Sequence, residues 1–260
     1  MTLIPKNFKG KIPKGIGEAK ARKRKKTPQN LANMPIITSI GTHWHIDDIL
    51  YRGEHYTADL SKTLLDSGTK RTQDVWAGRY ENAVGTDGFY TPDYPTLYGI
   101  IKTLYTSRED TSQAAQIVEA QEFLRNTSRE NWLITLTRVA YQPRGDDIII
   151  HNYGTRDRYE KKVDFTTPYE FIKVTKKPEA YRTLLDTQDS VQEIDSVFNW
   201  LIGTGLFGWS NNPEPDVVDE RVAGFYAFLG WASLGCYGET TDSCSSLGVR
   251  LHKKTLGATP

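Results

Sequence analysis

Two histidines that alternate along one short stretch are the residues of this chain best suited to chemistry. His43 and His45 follow the apolar run 36–40, which is typical of a β-strand, and Asp47 and Asp48 come directly after them. Imidazole nitrogens and carboxylate oxygens are ligands for Zn²⁺, and a catalytic zinc activates water for hydrolysis. A zinc-dependent hydrolase using His43 and His45 is therefore one hypothesis for this protein.

The same stretch resembles the Thr-His-x-His-x-Asp-His signature of hydrolases with the metallo-β-lactamase fold. Asp48 stands where that signature requires a histidine. The remaining histidines have no spacing that would supply a second set of ligands: His55, His151 and His252. The alternative places His43 and His45 on one face of a strand, with Trp44 packed on the other. We favour this alternative, and we predict no metal, no other cofactor and no enzymatic activity.

The most unusual composition lies between residues 222 and 251. In a chain that is 25% charged, this stretch has Glu239 and Asp242 as its only acidic residues and is rich in Tyr, Phe, Trp, Leu, Ser and Gly. Glycines recur through it at short intervals: Gly224, Gly230, Gly235, Gly238 and Gly248. A helix avoids so many glycines, and a buried strand shows an apolar run or clean alternation. We therefore expect loops of the aromatic, Ser- and Gly-rich kind that antibodies use for binding.

The run 220–251 resembles the variable region of proteins diversified by diversity-generating retroelements, most closely the archaeal variable proteins. Its end, LGVRL at 247–251, is similar to the last strand of their C-type lectin fold, a framework shared with formylglycine-generating enzymes. The resemblance covers roughly the last third of the chain, from about Gly203.

Codon chemistry agrees with this resemblance. Retroelement mutagenesis replaces adenines, so AAC and AAT codons can become any codon that ends in a pyrimidine. From Tyr226 to Gly248, only Trp231 and Glu239 lie outside the residues that such codons encode.

The resemblance implies an α+β protein with the C-type lectin fold: small twisted antiparallel sheets, two flanking helices and a loop-rich C-terminal binding face. It implies ligand binding through exchangeable side chains, and an aromatic patch of this kind suits recognition of another macromolecule, above all a protein. The contact residues that we predict are Tyr226, Phe228, Leu229, Gly230, Trp231, Ser233, Gly235, Tyr237, Gly238, Asp242 and Cys244. Because side chains alternate along extended backbone, about half of them should reach solvent together.

The framework beneath these contacts is predicted from the same stretch. Its residues are Gly224, Phe225, Leu234, Leu247, Gly248, Val249 and Arg250. We interpret Arg250 as a framework salt-bridge or hydrogen-bond donor. We also expect Trp209 to lie in a loop that leads into the binding face, or to be a core anchor below it.

Two amphipathic helices are predicted before the variable stretch. Asp110 or Thr111 caps the first, which runs to about Arg125. Asp189 and Gln192 have the spacing of a capping box before the second, whose apolar residues recur over 194–201. Gly203 should end this second helix. A pair of helices packed on a small sheet agrees with the lectin fold.

β-Structure is predicted between these helices. The runs 132–141 and 148–153 form a hairpin because the turn-forming residues 143–147 separate them. A further strand is expected over 165–174, with Pro168 interrupting it. The charged run 156–162 is predicted to be a solvated loop, and the aromatic stretch 59–111 an irregular region in which residues 98–105 form a short strand or a helical turn.

The N-terminal segment differs from the rest in charge. Residues 1–30 carry a dense set of Lys and Arg, so the remainder of a chain with net charge +1 is acidic. We divide the chain into a basic arm, residues 1–30, and a lectin-like domain, residues 31–260, with its variable region at about 220–252. Such an arm can bind nucleic acid by releasing counterions, but a solvated or partner-docked tail is the simpler interpretation.

The sequence has no apolar run long enough to span a bilayer and no signal-peptide core, so we expect a soluble protein, intracellular or virion-associated. Cys236 and Cys244 are its only cysteines. We interpret them as ordinary thiols, with a disulfide closing the variable stretch as the alternative.

Overall fold

The structure is a computed structural model, and it describes residues 35–84, 88–165, 170–210, 215–228 and 231–254. These residues belong to one compact unit. The basic arm, Pro168 and the predicted contact residues Leu229 and Gly230 lie outside the described residues.

The fold is α+β, as predicted. The described helices are α1 (Gln73–Val84), α2 (Tyr94–Ser107), α3 (Ala114–Glu130), α4 (Pro178–Leu185) and α5 (Val191–Ile202). The strands are β1 (Ile37–Ile40), β2 (His43–Tyr51), β3 (Glu54–Leu64), β4 (Leu133–Tyr141), β5 (Asp147–His151), β6 (Tyr159–Val163), β7 (Glu170–Phe171), β8 (Leu206–Ser210), β9 (Asp219–Phe228), β10 (Trp231–Gly238) and β11 (Leu247–Lys253). The resemblance implied two flanking helices, whereas the described residues form five.

The strands form two sheets. The smaller is antiparallel, with the order β1-β2-β3-β11. The larger has the order β6-β5-β4-β9-β10-β8-β7, and β8 runs parallel to β10 within it. The C-terminal strand β11 thus closes one sheet, whereas β9 and β10 lie at the centre of the other.

Helix α2 is the central element of the core. Asp93 caps it by accepting a hydrogen bond from the Thr96 amide, and a proline lies in its first turn. Most of its residues are buried, and it packs against β2, β4 and α5. Its middle, residues 98–105, is the segment for which the sequence left a strand or a helical turn open.

Both predicted helices are present. Helix α3 begins a few residues later than expected, at Ala114. Helix α5 is capped by Ser190 with Glu193 rather than by Asp189, and Gly203 ends it in the left-handed conformation, as predicted. Asp189 instead accepts hydrogen bonds from Tyr98 and Lys102 on α2.

The predicted hairpin is confirmed as β4 and β5, which pair antiparallel. The charged run 156–162 was predicted to be a loop, but most of it forms the edge strand β6. Alternating half-buried and exposed side chains fit an edge strand whose charges face water. Of the strand predicted over 165–174, residues 166–169 lie outside the described residues, Glu170–Phe171 form β7 and Ile172–Val174 form a short 3₁₀ turn.

The largest correction concerns the variable stretch. The binding face was expected to be loop-rich, but residues 219–228 and 231–238 are paired strands in the middle of the large sheet. Glycine-rich strands are stable here because other parts of the protein pack against the backbone at the glycines, as described below.

None of the helices in the described part of the chain has the length and apolar character needed to cross a bilayer.

Candidate recognition face

One surface of the large sheet carries a continuous set of aromatic side chains, which we call the aromatic face. Its members come from β4, β7, β8, β9 and β10 or the residues beside them: Trp132, Phe171, Phe207, Trp209, Tyr226, Phe228, Trp231 and Tyr237.

The rings touch in a path across the strands. Phe207 lies 5.8 Å from Phe171 and 5.7 Å from Trp231, measured between ring centroids. Trp231 lies 5.8 Å from Phe228, which lies 6.1 Å from Tyr226. The path is set by register, because Trp231 is paired with Phe228 across the β9–β10 ladder.

A second branch leaves Phe207 along β8. Trp209 lies 6.4 Å from Phe207 and 5.5 Å from Tyr237, which in turn lies 6.3 Å from Trp132. Neighbouring rings are tilted or edge-to-face, the arrangement that aromatic quadrupoles favour. The face is therefore a ridged, partly buried apolar surface, in which Phe228 is exposed, Phe207 is buried and the other rings are half-buried.

The opposite surface of the same strands is core. Phe225, Ala227, Leu234 and Cys236 are fully buried, and the Phe225 ring packs 5.3 Å from Phe198 of α5. The two phenylalanines of β9 thus have opposite roles, since Phe225 is 2% exposed and Phe228 is 36% exposed. The predicted framework residues Phe225, Leu234, Leu247 and Val249 are all buried, as expected.

Scaffold side chains support the variable strands through their main chain. The Tyr94 hydroxyl of α2 donates to the carbonyl oxygen of Gly224 at 2.6 Å. The Tyr141 hydroxyl of β4 donates to the Cys236 carbonyl at 2.7 Å, and the Thr135 hydroxyl donates to the Ala223 carbonyl at 2.8 Å. These bonds do not depend on which side chains β9 and β10 carry.

Three glycines of the stretch form a floor for one indole ring. A Cβ atom at Gly224 would lie 2.5 Å from Trp132, and one at Gly238 would lie 2.8 Å from it. At Gly235 it would lie 2.9 Å from Tyr237 and 3.3 Å from Trp132. Gly235 and Gly238 were predicted to be exchangeable contacts, but the rings of Trp132 and Tyr237 cover them and leave no room for a side chain.

The predicted contact set is therefore divided. Tyr226, Phe228, Trp231 and Tyr237 lie together on the aromatic face. Ser233 shares their face but is 2% exposed, because it lies between Phe207 and Tyr226 in the register.

The last two predicted contacts lie apart from this group. Asp242 accepts a hydrogen bond from the Glu239 amide in the turn that follows β10. Cys244 is 7% exposed, and its main chain pairs with Arg71. Cys244 therefore contributes little surface.

Sequence reasoning missed three of the eight rings of the aromatic face, Trp132, Phe171 and Phe207. Trp209 was expected in a loop that leads into the binding face, or as a core anchor below it, and it lies instead in β8. The alternation Phe207-x-Trp209 is the available signal, since period two places both rings on one side of a strand. Nothing local in the sequence indicates that β8 pairs with β10.

The two phenols of the face are uncharged at neutral pH, and the ammonium of Lys173 lies over the Phe171 ring at its edge, 6.0 Å from the centroid. Burial raises the pKa of Tyr226 and raises that of Tyr237 to about 12, so both phenols remain protonated. The two cysteines are free thiols. Burial raises the pKa of Cys244 to about 11 and that of Cys236 further, so neither is a nucleophilic thiolate at neutral pH.

The candidate zinc ligands lie on the small sheet. His43 and His45 share one face of β2 while Trp44 is buried on the other, as the alternative interpretation predicted. Both histidines face the buried carboxylate of Asp59: His45 Nδ1 lies 2.7 Å and His43 Nε2 lies 3.7 Å from its Oδ1.

Asp59 is committed to a framework ion pair. Arg250 donates to its Oδ2 from Nε at 2.9 Å and from a terminal nitrogen at 2.6 Å, which confirms the role predicted for Arg250. Burial opposes ionisation of Asp59, but the bonds from His45 and Arg250 outweigh it and lower the pKa of the carboxyl. Among the described residues, no group of three or more His, Cys, Asp or Glu is arranged to hold a metal ion.

Comparisons with known proteins give no further assignment. No protein-family model matches this chain, and no curated protein or solved structure is significantly similar to it.

Proposed function

We propose that this protein is a retroelement-diversified binding protein that recognises another protein through the aromatic face, without catalysis. The observation that carries the proposal is the continuity of the face, whose rings contact one another from β7 to β9. A cluster of Tyr, Trp and Phe has the composition of the few residues that dominate protein–protein affinity.

The shape of the face favours a protein partner over the alternatives. Adjacent rings are inclined by 34° to 73° along the path from Phe171 to Tyr226, so they form ridges and clefts instead of a flat stacking platform. Nucleic-acid bases stack on open ring faces, which this inclined arrangement does not offer. Apolar side chains of a protein fit between ridges without that requirement.

The manner of support favours exchangeable side chains. Tyr94, Tyr141 and Thr135 hold the carbonyl oxygens of the variable strands, so replacement of an outward side chain leaves these hydrogen bonds intact. The outward residue Phe228 is partly in water, and its replacement creates no core cavity. A surface that must change in sequence while the fold persists needs both properties.

The C-type lectin fold is a more specific part of the proposal. The residues that suggest it, LGVRL at 247–251, form the closing strand β11, and Arg250 holds this strand to β3 through Asp59. Amphipathic helices packed against twisted sheets agree with it.

Sequencing of the genomic locus tests the proposal. We expect a nearby reverse transcriptase gene and a template repeat that matches the codons of residues 224–250 and differs from them only at adenines. A locus that contains neither would remove the retroelement assignment, whatever the binding properties of the protein.

A further inference from the structure

Glycine is required at certain positions of the variable stretch by one side chain that lies outside it. The indole of Trp132, which precedes β4, lies directly over Gly224: three of its ring carbons would be 2.5 to 2.6 Å from a Cβ atom there. Gly238 lies under the same ring, and Gly235 lies under Trp132 and Tyr237. Real Cβ atoms do not approach carbon this closely, so a side chain at Gly224 would require the indole to move away from its contact with Tyr237.

The backbone itself does not require glycine at these positions. Gly224, Gly235 and Gly238 lack the positive φ angles found at turn glycines such as Gly203. Alanine could adopt their extended conformation without strain, and it would reduce the entropy of the unfolded chain. At Gly224 the cost of a side chain comes from the indole above it. At Gly235 and Gly238 the carbonyl oxygens of Gly224 and Val222, 3.3 and 3.2 Å from a Cβ atom, add to the cost of the ring contacts.

Resting on the proposed function, we propose that Trp132 is a positioning residue that keeps Gly224, Gly235 and Gly238 constant and confines exchange to the outward positions between them. Its ring contacts Tyr237, and Tyr237 contacts Trp209. The position of the indole therefore also determines how far these two rings project from the sheet. The exchangeable set then includes Tyr226 and Phe228. The constant set includes the glycines and the rings of β8.

A double-mutant cycle on the full chain tests this inference. Gly224→Ala should lower Tm by about 3–10 °C, the range expected for overpacking in a domain of this size. Trp132→Ala should also lower Tm. In the Trp132→Ala background, Gly224→Ala should cause no further loss, because the ring it would strike is gone.

Matched controls separate this effect from a general intolerance. Gly78→Ala on α1 should not lower Tm, since a Cβ atom there meets nothing within 4 Å and alanine favours a helix. Phe228→Ser should change Tm by less than about 3 °C. If Gly224→Ala alone does not fold, a folded Trp132→Ala/Gly224→Ala double variant still supports the inference.

Two results would overturn it. One is a Gly224→Ala protein as stable as the parent, and the other is an equal Tm loss in the presence and absence of the Trp132 ring. Both readouts are thermal stabilities, so they are independent of the genomic test. A locus without a retroelement would defeat the proposed function while leaving the glycine requirement in place.

Discussion

Phe225 and Phe228 stand three positions apart on β9 and show how one strand serves two purposes. Strand alternation sends Phe225 into the core against Phe198 and sends Phe228 to the aromatic face. The same side chain thus contributes to stability at one position and to recognition at the other.

We expect these two positions to respond very differently to truncation. Phe225→Ala should lower the free energy of unfolding by about 3–5 kcal/mol, because it leaves a cavity beside α5. Phe228→Ala should lower it by about 1 kcal/mol or less, since the ring is already partly hydrated. Urea unfolding with an unchanged m-value measures both, and equal losses would show that Phe228 belongs to the core.

At the scale of elements, the β9–β10 pair has a neighbouring strand on each side. Both neighbours pair with it through main-chain hydrogen bonds, which do not depend on the side chains that β9 and β10 carry. Strand β4 pairs with β9, and β8 pairs with β10. A central hairpin in a seven-stranded sheet cannot shift its register easily, because every side chain would move to the opposite face. The hairpin is therefore a rigid platform for changing surfaces.

This support predicts that the hairpin can be given new specificities. A displayed library randomised at Tyr226, Phe228 and Trp231 should yield clones that bind hen egg-white lysozyme with Kd of about 1 μM or tighter. A matched library on the exposed side of α3, at Val118, Glu122 and Asn126, should yield none, because a convex charged helix lacks anchoring clefts. Equal yields from both libraries would show that the aromatic face is no better suited to binding a protein than the exposed side of α3.

At the scale of the molecule, a buried polar network links the two sheets through α2. Asp93, the cap of α2, accepts hydrogen bonds from the Thr96 amide at 2.9 Å and from the Tyr51 hydroxyl of β2 at 3.2 Å. Asn152, which follows β5, donates to the Tyr51 oxygen at 2.8 Å. Burial raises the pKa of Asp93 to about 6, although the bonds from Thr96 and Tyr51 oppose this rise.

His151 at the end of β5 is buried beside this network, and its pKa is lowered where that of Asp93 is raised. Its Nε2 donates to the Thr183 carbonyl, and the Thr137 hydroxyl donates to its Nδ1 at 3.2 Å, so both ring nitrogens are satisfied in the neutral form. Burial lowers its pKa from 6.5 to about 4.

The two shifts have opposite consequences for stability. The Asp93 contribution is fully present below pH 3.8 and is lost as the pH rises through about 6, because the folded protein holds that proton more tightly. The His151 contribution is present above pH 6.5 and is lost as the pH falls through about 4. Each is on the order of 3 kcal/mol, and over this window they largely cancel.

Single substitutions should reveal the pH dependence of stability that each group contributes. Relative to the parent, Asp93→Asn should make the free energy of unfolding rise more steeply with pH between about 4 and 6.5, because only the His151 effect remains. His151→Gln should make it fall with rising pH over the same range. Urea unfolding at half-unit pH intervals measures both, and parallel profiles for the parent and both variants would exclude the compensation.

The local sequence determined the features that depend on a few consecutive residues. The hairpin of β4 and β5, the left-handed end of α5 at Gly203 and the opposite faces of His45 and Trp44 all follow from turn chemistry or strand period. Helix α2 escaped prediction because it is buried on nearly all sides and so lacks the polar stripe by which an amphipathic helix is identified.

Only the tertiary structure decided which residues form the candidate site. The aromatic variable stretch could be found in the sequence, but its division into Phe225 inside and Phe228 outside required the strand pairing. Trp132 packs on Gly224, 92 positions away in a 260-residue chain, and no local pattern encodes that contact. Many arrangements of the strands and helices are acceptable locally. The arrangement that buries the most apolar area is favoured, and that area depends on contacts between residues far apart in the chain.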